Sequence, residues 1–323
     1  MKALLVDDFK KNPHWGTFED PIAGPDEFIV NVKAAALSNL AKGQANGTHY
    51  SSVAKFPFVP GSDGVGRLAD GTRVFFASSR RPFGAMAEKT VVSKNLCVEL
   101  PHSLDDVVAA AMANSVMSSW GALSFRAKLE NGQGVLINGA TGSSGALAIK
   151  VARHFGAKKI VATGRNPVAL NALLGEGADE IISLTQDPQA LIQNFCQTLE
   201  TNQISVILDY LWGASAEALI KAIGGDGSHL SSRKIRFVQI GAMSGPVIPL
   251  PASVLRSTGL ELVGSGIGSI DLSNLILAIG EGLKVAAELG WKIKMASVPL
   301  KDAESAWTQD FGGKRLVFTV DGK

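Results

Sequence analysis

Cysteine is scarce: Cys97 and Cys196 are the whole complement in 323 residues. Two thiols cannot furnish a four-thiolate zinc site, and a disulfide framework needs more of them, so a reducing compartment is expected. Charge of one sign is also lacking. Thirty-one basic residues face 29 acidic ones, a formal net charge of +2, which leaves no broad field to gather nucleic acid or an anionic membrane. No run reaches the ~18 apolar residues of a membrane span. The opening Met1-Lys2-Ala3-Leu4-Leu5-Val6-Asp7-Asp8 puts two acids where a signal peptide would need its apolar stretch. The expectation is a soluble, cytoplasmic protein whose partners are chosen locally.

What is present favours a folded chain of two domains. Hydrophobic residues make up 46% and charged residues 19%, a balance that argues against disorder. The length exceeds the roughly 250 to 300 residues at which one hydrophobic core stops growing. Glycine is in excess, with 35 residues in 323, about 11% where ~7% is usual. Many backbone positions therefore need freedom or close approach.

Along the first hundred residues, short β-type runs at 2–6, 27–33 and 71–76 alternate with turns. Pro57, Pro60, Gly61, Gly64 and Gly66 punctuate this half too densely for long helices, so an all-β or barrel-like module is expected. Near Pro101 the period changes. A helix is predicted from about Leu104, with Ser103 as N-cap and Asp106 three residues on. Apolar strands then alternate with helices: 134–138, 159–163, 180–182, 205–208, 235–240 and 260–263. That alternation predicts a parallel, doubly wound α/β sheet. A helical run over 272–289 and a last strand over 315–319 complete the chain.

The turn Gly139-Ala140-Thr141-Gly142-Ser143-Ser144-Gly145 lies between a predicted strand and a helix predicted over 146–155, the context in which glycine spacing carries meaning. Gly142 would let the backbone approach a pyrophosphate. Gly145 would let the helix pack closely on the strand, and the first helical N–H groups would face phosphate oxygens. Ala140 stands where the usual fingerprint has its first glycine. About 20 residues past the glycines, an NAD site places an acid for the ribose 2′-OH. Here that position falls in Gly164-Arg165-Asn166, and a guanidinium grips a 2′-phosphate with parallel hydrogen bonds. NADPH is the predicted cofactor.

Val59-Pro60-Gly61-Ser62-Asp63-Gly64-Val65-Gly66, Gly71-Thr72-Arg73-Val74, Phe83-Gly84-Ala85-Met86-Ala87-Glu88, the glycine turn and Gly313-Lys314-Arg315-Leu316-Val317 span nearly the whole chain. Together they resemble the zinc-independent, zeta-crystallin-like quinone oxidoreductases of the medium-chain dehydrogenase/reductase superfamily. The resemblance implies a GroES-like β-rich catalytic domain of residues 1–115, with 267–323 returning to it. It also implies a Rossmann domain of residues 116–266, and an active site in the cleft between the two. Relatives often dimerise through the last strands of the nucleotide domain, for which 235–263 supplies the candidates, so a homodimer is expected.

Zinc-dependent members carry Gly-His-Glu and an upstream cysteine, where this chain has Gly61-Ser62-Asp63 and Leu37-Ser38-Asn39. Neither place supplies the N or S ligands of a catalytic zinc, and no metal is expected. His14, His49, His102, His154 and His229 are scattered without ligand spacing, and His154 reads as a plain helix residue.

Around the nicotinamide, the resemblance offers Tyr50 or His49 as the group after the Asn46-Gly47 turn. Aligning from Pro60-Gly61 selects Tyr50, and aligning from Gly47 selects His49. Either side chain can hydrogen-bond a carbonyl oxygen or supply a proton. Ser38 inherits a place near the nicotinamide, Asn39 facing away as in a strand. Ser118 matches a threonine near the carboxamide, or else packs or caps a helix. Asp209 ends a strand and either adjoins the cofactor or caps the next turn. Gly241 and Gly264-Ser265-Gly266 occupy the same sheet edge, where they serve either the ribose or turn geometry.

Without a metal, substrates must accept hydride through their own electronics, as quinones and α,β-unsaturated ketones do. The resemblance therefore implies an NADPH-dependent, zinc-independent oxidoreductase acting on small quinones or enones. The alternatives are an enoyl-thioester reductase and a non-catalytic NADPH-binding protein.

Overall fold

Uninterrupted apolar runs such as Val135-Leu136-Ile137 and Ile160-Val161-Ala162 suit strands buried on both faces, which a helix-covered parallel sheet provides. In the computed structural model all six of these residues are fully buried, and their strands pair in parallel. The structure describes residues 1–49, 51–225 and 233–320. Tyr50 and His229 lie outside the described residues.

The chain begins with β1 (Lys2–Leu5), β2 (His14–Thr17), β3 (Glu27–Ala36), α1 (Asn39–Ala45), β4 (Asp63–Arg67), β5 (Arg73–Ala77), β6 (Lys89–Ser93) and β7 (Cys97–Glu99). Then follow α2 (Asp106–Gly121), β8 (Gly134–Asn138), α3 (Ser143–His154), β9 (Lys159–Gly164), α4 (Pro167–Gly175), β10 (Glu180–Ser183) and α5 (Pro188–Thr201). After these come β11 (Ile204–Asp209), α6 (Gly213–Gly224), β12 (Lys234–Gln239), α7 (Ala252–Ser257) and β13 (Gly259–Gly264). The last are α8 (Leu272–Glu288), β14 (Met295–Pro299), α9 (Ala303–Ala306) and β15 (Arg315–Thr319). Two compact units result, one of residues 1–114 with 276–323 and one of residues 115–275. The chain passes between them inside α2 and inside α8, at 114/115 and 275/276, where the sequence suggested 115/116 and 266/267.

The first unit is β-rich, as expected of a GroES-like module. Its main sheet runs β14-β15-β3-β4-β5-β7, with β6 also paired to β3, and β1 and β2 form a separate antiparallel pair. Leu4, Phe58, Phe76, Met86 and Phe318 anchor its core. Two helices here, α1 and the single-turn α9, escaped the sequence reading. Ser38 caps α1 by accepting from Ala41 N at 3.1 Å, so Asn39 opens a helix and does not alternate along a strand.

The second unit holds β10-β9-β8-β11-β12-β13, every pairing parallel. Read from β8 this is the 3-2-1-4-5-6 order of a doubly wound dinucleotide-binding sheet, whose direction of winding reverses between β8 and β11. Leu136, Phe195, Leu219 and Phe237 lie at the core of the β8–β11–β12 side. Two helix starts differ from expectation, and the strand ends shift by about one residue. Asp105, not Ser103, caps α2, its Oδ1 accepting from Val107 N and Val108 N at 2.9 and 3.1 Å. Helix α3 starts at Ser143, three residues before the predicted 146, because Gly142 already takes the extended N-cap conformation (φ −78°, ψ 162°). Among the described residues no helix is long and apolar enough to cross a membrane.

Candidate functional site

The carboxyl ends of β8, β9 and β11 are joined by polar side chains that close otherwise apolar strands. Asn138 donates through Nδ2 to Asp209 Oδ1 at 2.8 Å and to Ser215 Oγ at 2.9 Å. Thr163 Oγ1 donates to Asn138 Oδ1 at 2.9 Å and accepts from Gly139 N at 3.1 Å. The Ala140 N–H donates to the Thr163 carbonyl at 2.8 Å. The glycine turn is thus bolted to three strands before anything binds. Asn138, Thr163 and Ser215 were not singled out by sequence, although Asn138 and Thr163 are visible there as polar residues late in apolar runs.

Two glycines of the turn answer different demands. A Cβ on Gly145 would sit 2.6 Å from the Cα of Ala140 and closer still to the Gly139 carbonyl oxygen. Gly145 is therefore required by the fold itself. A Cβ on Gly142 would meet only the Gly139 oxygen, at 3.9 Å, and the φ of −78° suits any residue. Among the described residues nothing else comes within 4 Å of that Cβ position. That space opens at the first turn of α3, where the N-cap has no side chain to satisfy the leading N–H groups. A helix N-terminus that no N-cap side chain engages, with room for a close approach, suits a pyrophosphate. Ser144 follows in the first turn, its hydroxyl 3.2 Å from that of Ser115 in α2.

Thr141 points toward the end of β9. A Cβ on Gly164 would run into its Cγ2, with Oγ1 at 3.1 Å, so glycine there lets the strand end and the turn touch. Arg165 follows, exposed, and its guanidinium makes no hydrogen bond or ion pair among the described residues. Its backbone is fixed by Asn166, which caps α4 through a 3.0 Å acceptance from Ala169 N. The Asn166 oxygen is thereby engaged in the helix.

Asp209 is fully buried, and its carboxylate accepts from Asn138 Nδ2, Leu211 N and Trp212 N at 2.8 to 3.2 Å. Burial pushes the carboxyl above its ordinary range, while those hydrogen bonds act the other way. Its side chain serves the turn after β11, where Trp212 holds a left-handed φ of 57°. Beside it the Tyr210 phenol is buried and pushed up, with the Ser118 and Ser119 hydroxyls opposing the shift. The Tyr210 oxygen makes no hydrogen bond of normal geometry among the described residues. Ser118 donates to the Ser115 carbonyl at 2.9 Å within α2. Gly241 lies against Tyr210, since a Cβ there would come 2.7 Å from its carbonyl oxygen. Gly264 faces open space, its carbonyl held by Arg126 Nε at 2.7 Å, and the Ser265 N–H donates to the Gln239 carbonyl.

In the β-rich unit, Ser38 and His49 bracket α1. The Ser38 hydroxyl is its cap, 2% exposed. The His49 N–H returns to the Gly43 carbonyl at 3.1 Å, and Nδ1 lies 2.8 Å from Ser51 Oγ. Partial burial pushes the imidazole below its ordinary value, which favours the neutral ring. Tyr50, the other candidate, falls outside the described residues. Asp63 opens β4, buried, with the Ser62 hydroxyl donating to its Oδ1 at 2.7 Å and the Arg315 charge nearby. Among the described residues no group of three or more His, Cys, Asp or Glu side chains gathers as a metal site.

No protein-family model matches the chain. A protein of Emericella nidulans described as a probable NADPH-dependent quinone reductase is 25% identical over 98% of this chain and 99% of its own length. The human quinone oxidoreductase is 28% identical over 50% of this chain and 51% of its own. An NADPH-dependent alkenal/one oxidoreductase of Arabidopsis thaliana is 27% identical, again over 50% of this chain and 46% of its own. Among solved structures, the quinone oxidoreductase of Thermus thermophilus, determined also with NADPH, superposes with a TM-score of 0.80 at 23% identity, covering 99% of this chain and all of that one. A mycobacterial quinone oxidoreductase gives 0.81 at 18%, covering 99% of both chains. The resemblance carried by the motifs thus extends to the whole fold.

Proposed function

We propose that the chain, similar along its length to quinone reductases, is an NADPH-dependent oxidoreductase that delivers hydride to quinones or activated α,β-unsaturated carbonyls. The observation that carries this is the space beside Gly142 at the uncapped N-terminus of α3, with the unpaired Arg165 at the end of the adjacent strand.

The residues present fit the cofactor. The first-turn N–H groups of α3 hold the pyrophosphate, Arg165 clasps the 2′-phosphate, and the Asn138–Asp209–Thr163 network keeps the turn in place before binding. Gly241, Gly264 and Ser265 complete the sheet edge. When bound, NADPH supplies the hydride. The chain binds, orients and places a hydrogen-bond donor at the substrate oxygen. His49, whose burial favours the neutral imidazole, or Tyr50 takes that part, with Ser38 and Ser118 flanking the nicotinamide. No zinc is invoked, because the superfamily's ligand positions here carry Ser62, Asp63 and Ser38. A homodimer through the edge strand β13 accords with the exposed Met243, Val247, Leu250 and Leu255, which lie between β12 and β13 in the chain. A cytoplasmic setting accords with Cys97 and Cys196 standing outside any disulfide.

The test is NADPH oxidation followed by absorbance against 1,4-benzoquinone, 9,10-phenanthrenequinone, an enone, crotonyl-thioester and a simple alcohol, with metal-stripped protein. Turnover of quinones or enones, and none of the alcohol, is expected. Preference for the thioester would move the assignment to enoyl-thioester reduction. NADPH binding without turnover of any acceptor would make the chain a non-catalytic binder.

A further inference from the structure

The turn between β5 and β6 contains two neighbouring arginines with opposite fates. Arg80 is satisfied: Nε donates to Glu27 at 2.7 Å and Nη2 to the Ile22 carbonyl at 2.7 Å. Arg81 is not. Its Nη1 is buried with no hydrogen-bond partner among the described residues, and no ion pair reaches its guanidinium. Two residues earlier the Ser79 hydroxyl is likewise buried and unpartnered, and Ser78 holds a left-handed φ of 54°. Arg81 as a whole is half-buried, so Nη1 alone is denied both water and an acceptor; a buried donor left unpaired is costly, and such a group marks a place where an acceptor fits.

The surroundings restrict what arrives. The Arg81 guanidinium lies 4.6 Å from the centroid of Phe58, which stacks on Phe56 at 5.8 Å. Phe56 meets Phe9 edge-on at 4.9 Å, and the Phe9 ring closes under Gly47, where a Cβ would come within 2.7 Å of it. Aromatic contact thus runs from Arg81 to the turn that carries His49. A planar guanidinium resting on a ring matches a carboxylate with two parallel hydrogen bonds, and the exposed Phe56 ring beyond the buried Phe58 matches an unsaturated or aromatic body.

We infer that the β5–β6 turn is a carboxylate-binding site, with Arg81 as the anchor, and that it selects acidic quinone or enone substrates. The selection rests on the function proposed above; the site does not.

Calorimetry on the full chain without nucleotide, titrated separately with benzoate and with inorganic phosphate, tests the site alone. Benzoate should bind wild type more tightly than phosphate does. Loss of a bidentate charged pair predicts about tenfold or more weakening in Arg81→Gln. Arg81→Lys, which keeps the charge but not the fork, should fall between. Arg80→Gln should bind benzoate as wild type does. Equal benzoate affinity in wild type and both Arg81 variants, no benzoate binding to wild type, or preference for phosphate would each overturn the site. For substrate selection, KM is compared between a naphthoquinone carboxylate and its methyl ester. A preference for the acid that collapses in Arg81→Gln is expected, and a preference that survives it overturns the selection. Benzoate binding without turnover of either quinone would sink the oxidoreductase proposal and leave the site standing.

Discussion

A Cβ on Gly145 would stand 2.6 Å from the Cα of Ala140, so helix α3 meets the turn before it backbone to backbone. Gly145→Ala should therefore cost stability, about 1 to 3 kcal/mol as for other overpacking changes. Gly142→Ala should cost only the few tenths to about 1 kcal/mol that separate glycine from alanine at an N-cap. Its effect belongs to the ligand: a methyl group in the space a pyrophosphate would use should weaken NADPH binding about tenfold, the worth of roughly 1.4 kcal/mol. Urea titration and quenching of protein fluorescence by NADPH separate the two. Wild-type NADPH affinity in Gly142→Ala would remove the turn from cofactor binding.

Arg165 is exposed and Asn166 fixes its backbone, so its side chain is available without supporting the fold. Arg165→Ala should leave stability within about 0.5 kcal/mol of wild type, as surface changes do. Loss of charged hydrogen bonds to a phosphate, about 1.5 to 3 kcal/mol, should raise KM for NADPH by roughly 10- to 100-fold. KM for NADH, which has no 2′-phosphate, should hardly move. Equal effects on both cofactors would show that Arg165 does not read the phosphate.

Ser38 caps α1 and is nearly inaccessible. Ser38→Ala should lower stability by about 1 kcal/mol, whereas Ser38→Asp or Ser38→Asn, which can still cap, should recover most of it. If recovery of the cap also restores kcat, the serine positions α1 and the His49 turn. A kcat that stays low in a fully stable Ser38→Asn would instead place the hydroxyl at the substrate.

The sequence made the parallel sheet legible because strands buried on both faces must be apolar along most of their length, and β8 over 135–137 with β9 over 160–162 show that pattern. The cofactor turn was legible for the same reason, its glycines falling between a certain strand and a certain helix. Helix α1 was not, since seven residues with Gly43 inside carry too little pattern and the Ser38 cap has no apolar period behind it. The Asn138–Asp209 contact joins residues 71 apart, which no local window contains. Nor does Arg80-Arg81 reveal which guanidinium is paired; Glu27, 53 residues away, decides it.

Asp63 and Arg315 give the β-rich unit a pH signature. Burial raises the Asp63 carboxyl above its ordinary 3.8, and the Ser62 hydroxyl and Arg315 charge offset only part of that. Between pH 3.8 and the raised value, the folded chain keeps a proton that the unfolded chain has released. Stability from this group is therefore full below the lower limit and is lost as pH rises through the folded value. Asp63→Asn has no proton to lose. Its stability relative to wild type should climb as pH rises from about 4 and then level off once both states of Asp63 are ionised. Asp20, Glu27 and Glu261, whose values are lowered by their cationic partners and hydrogen bonds, give an opposite slope common to both proteins, so it cancels in the difference. Urea denaturation of both proteins across that range measures it, and parallel stability curves would show that Asp63 carries no linked proton.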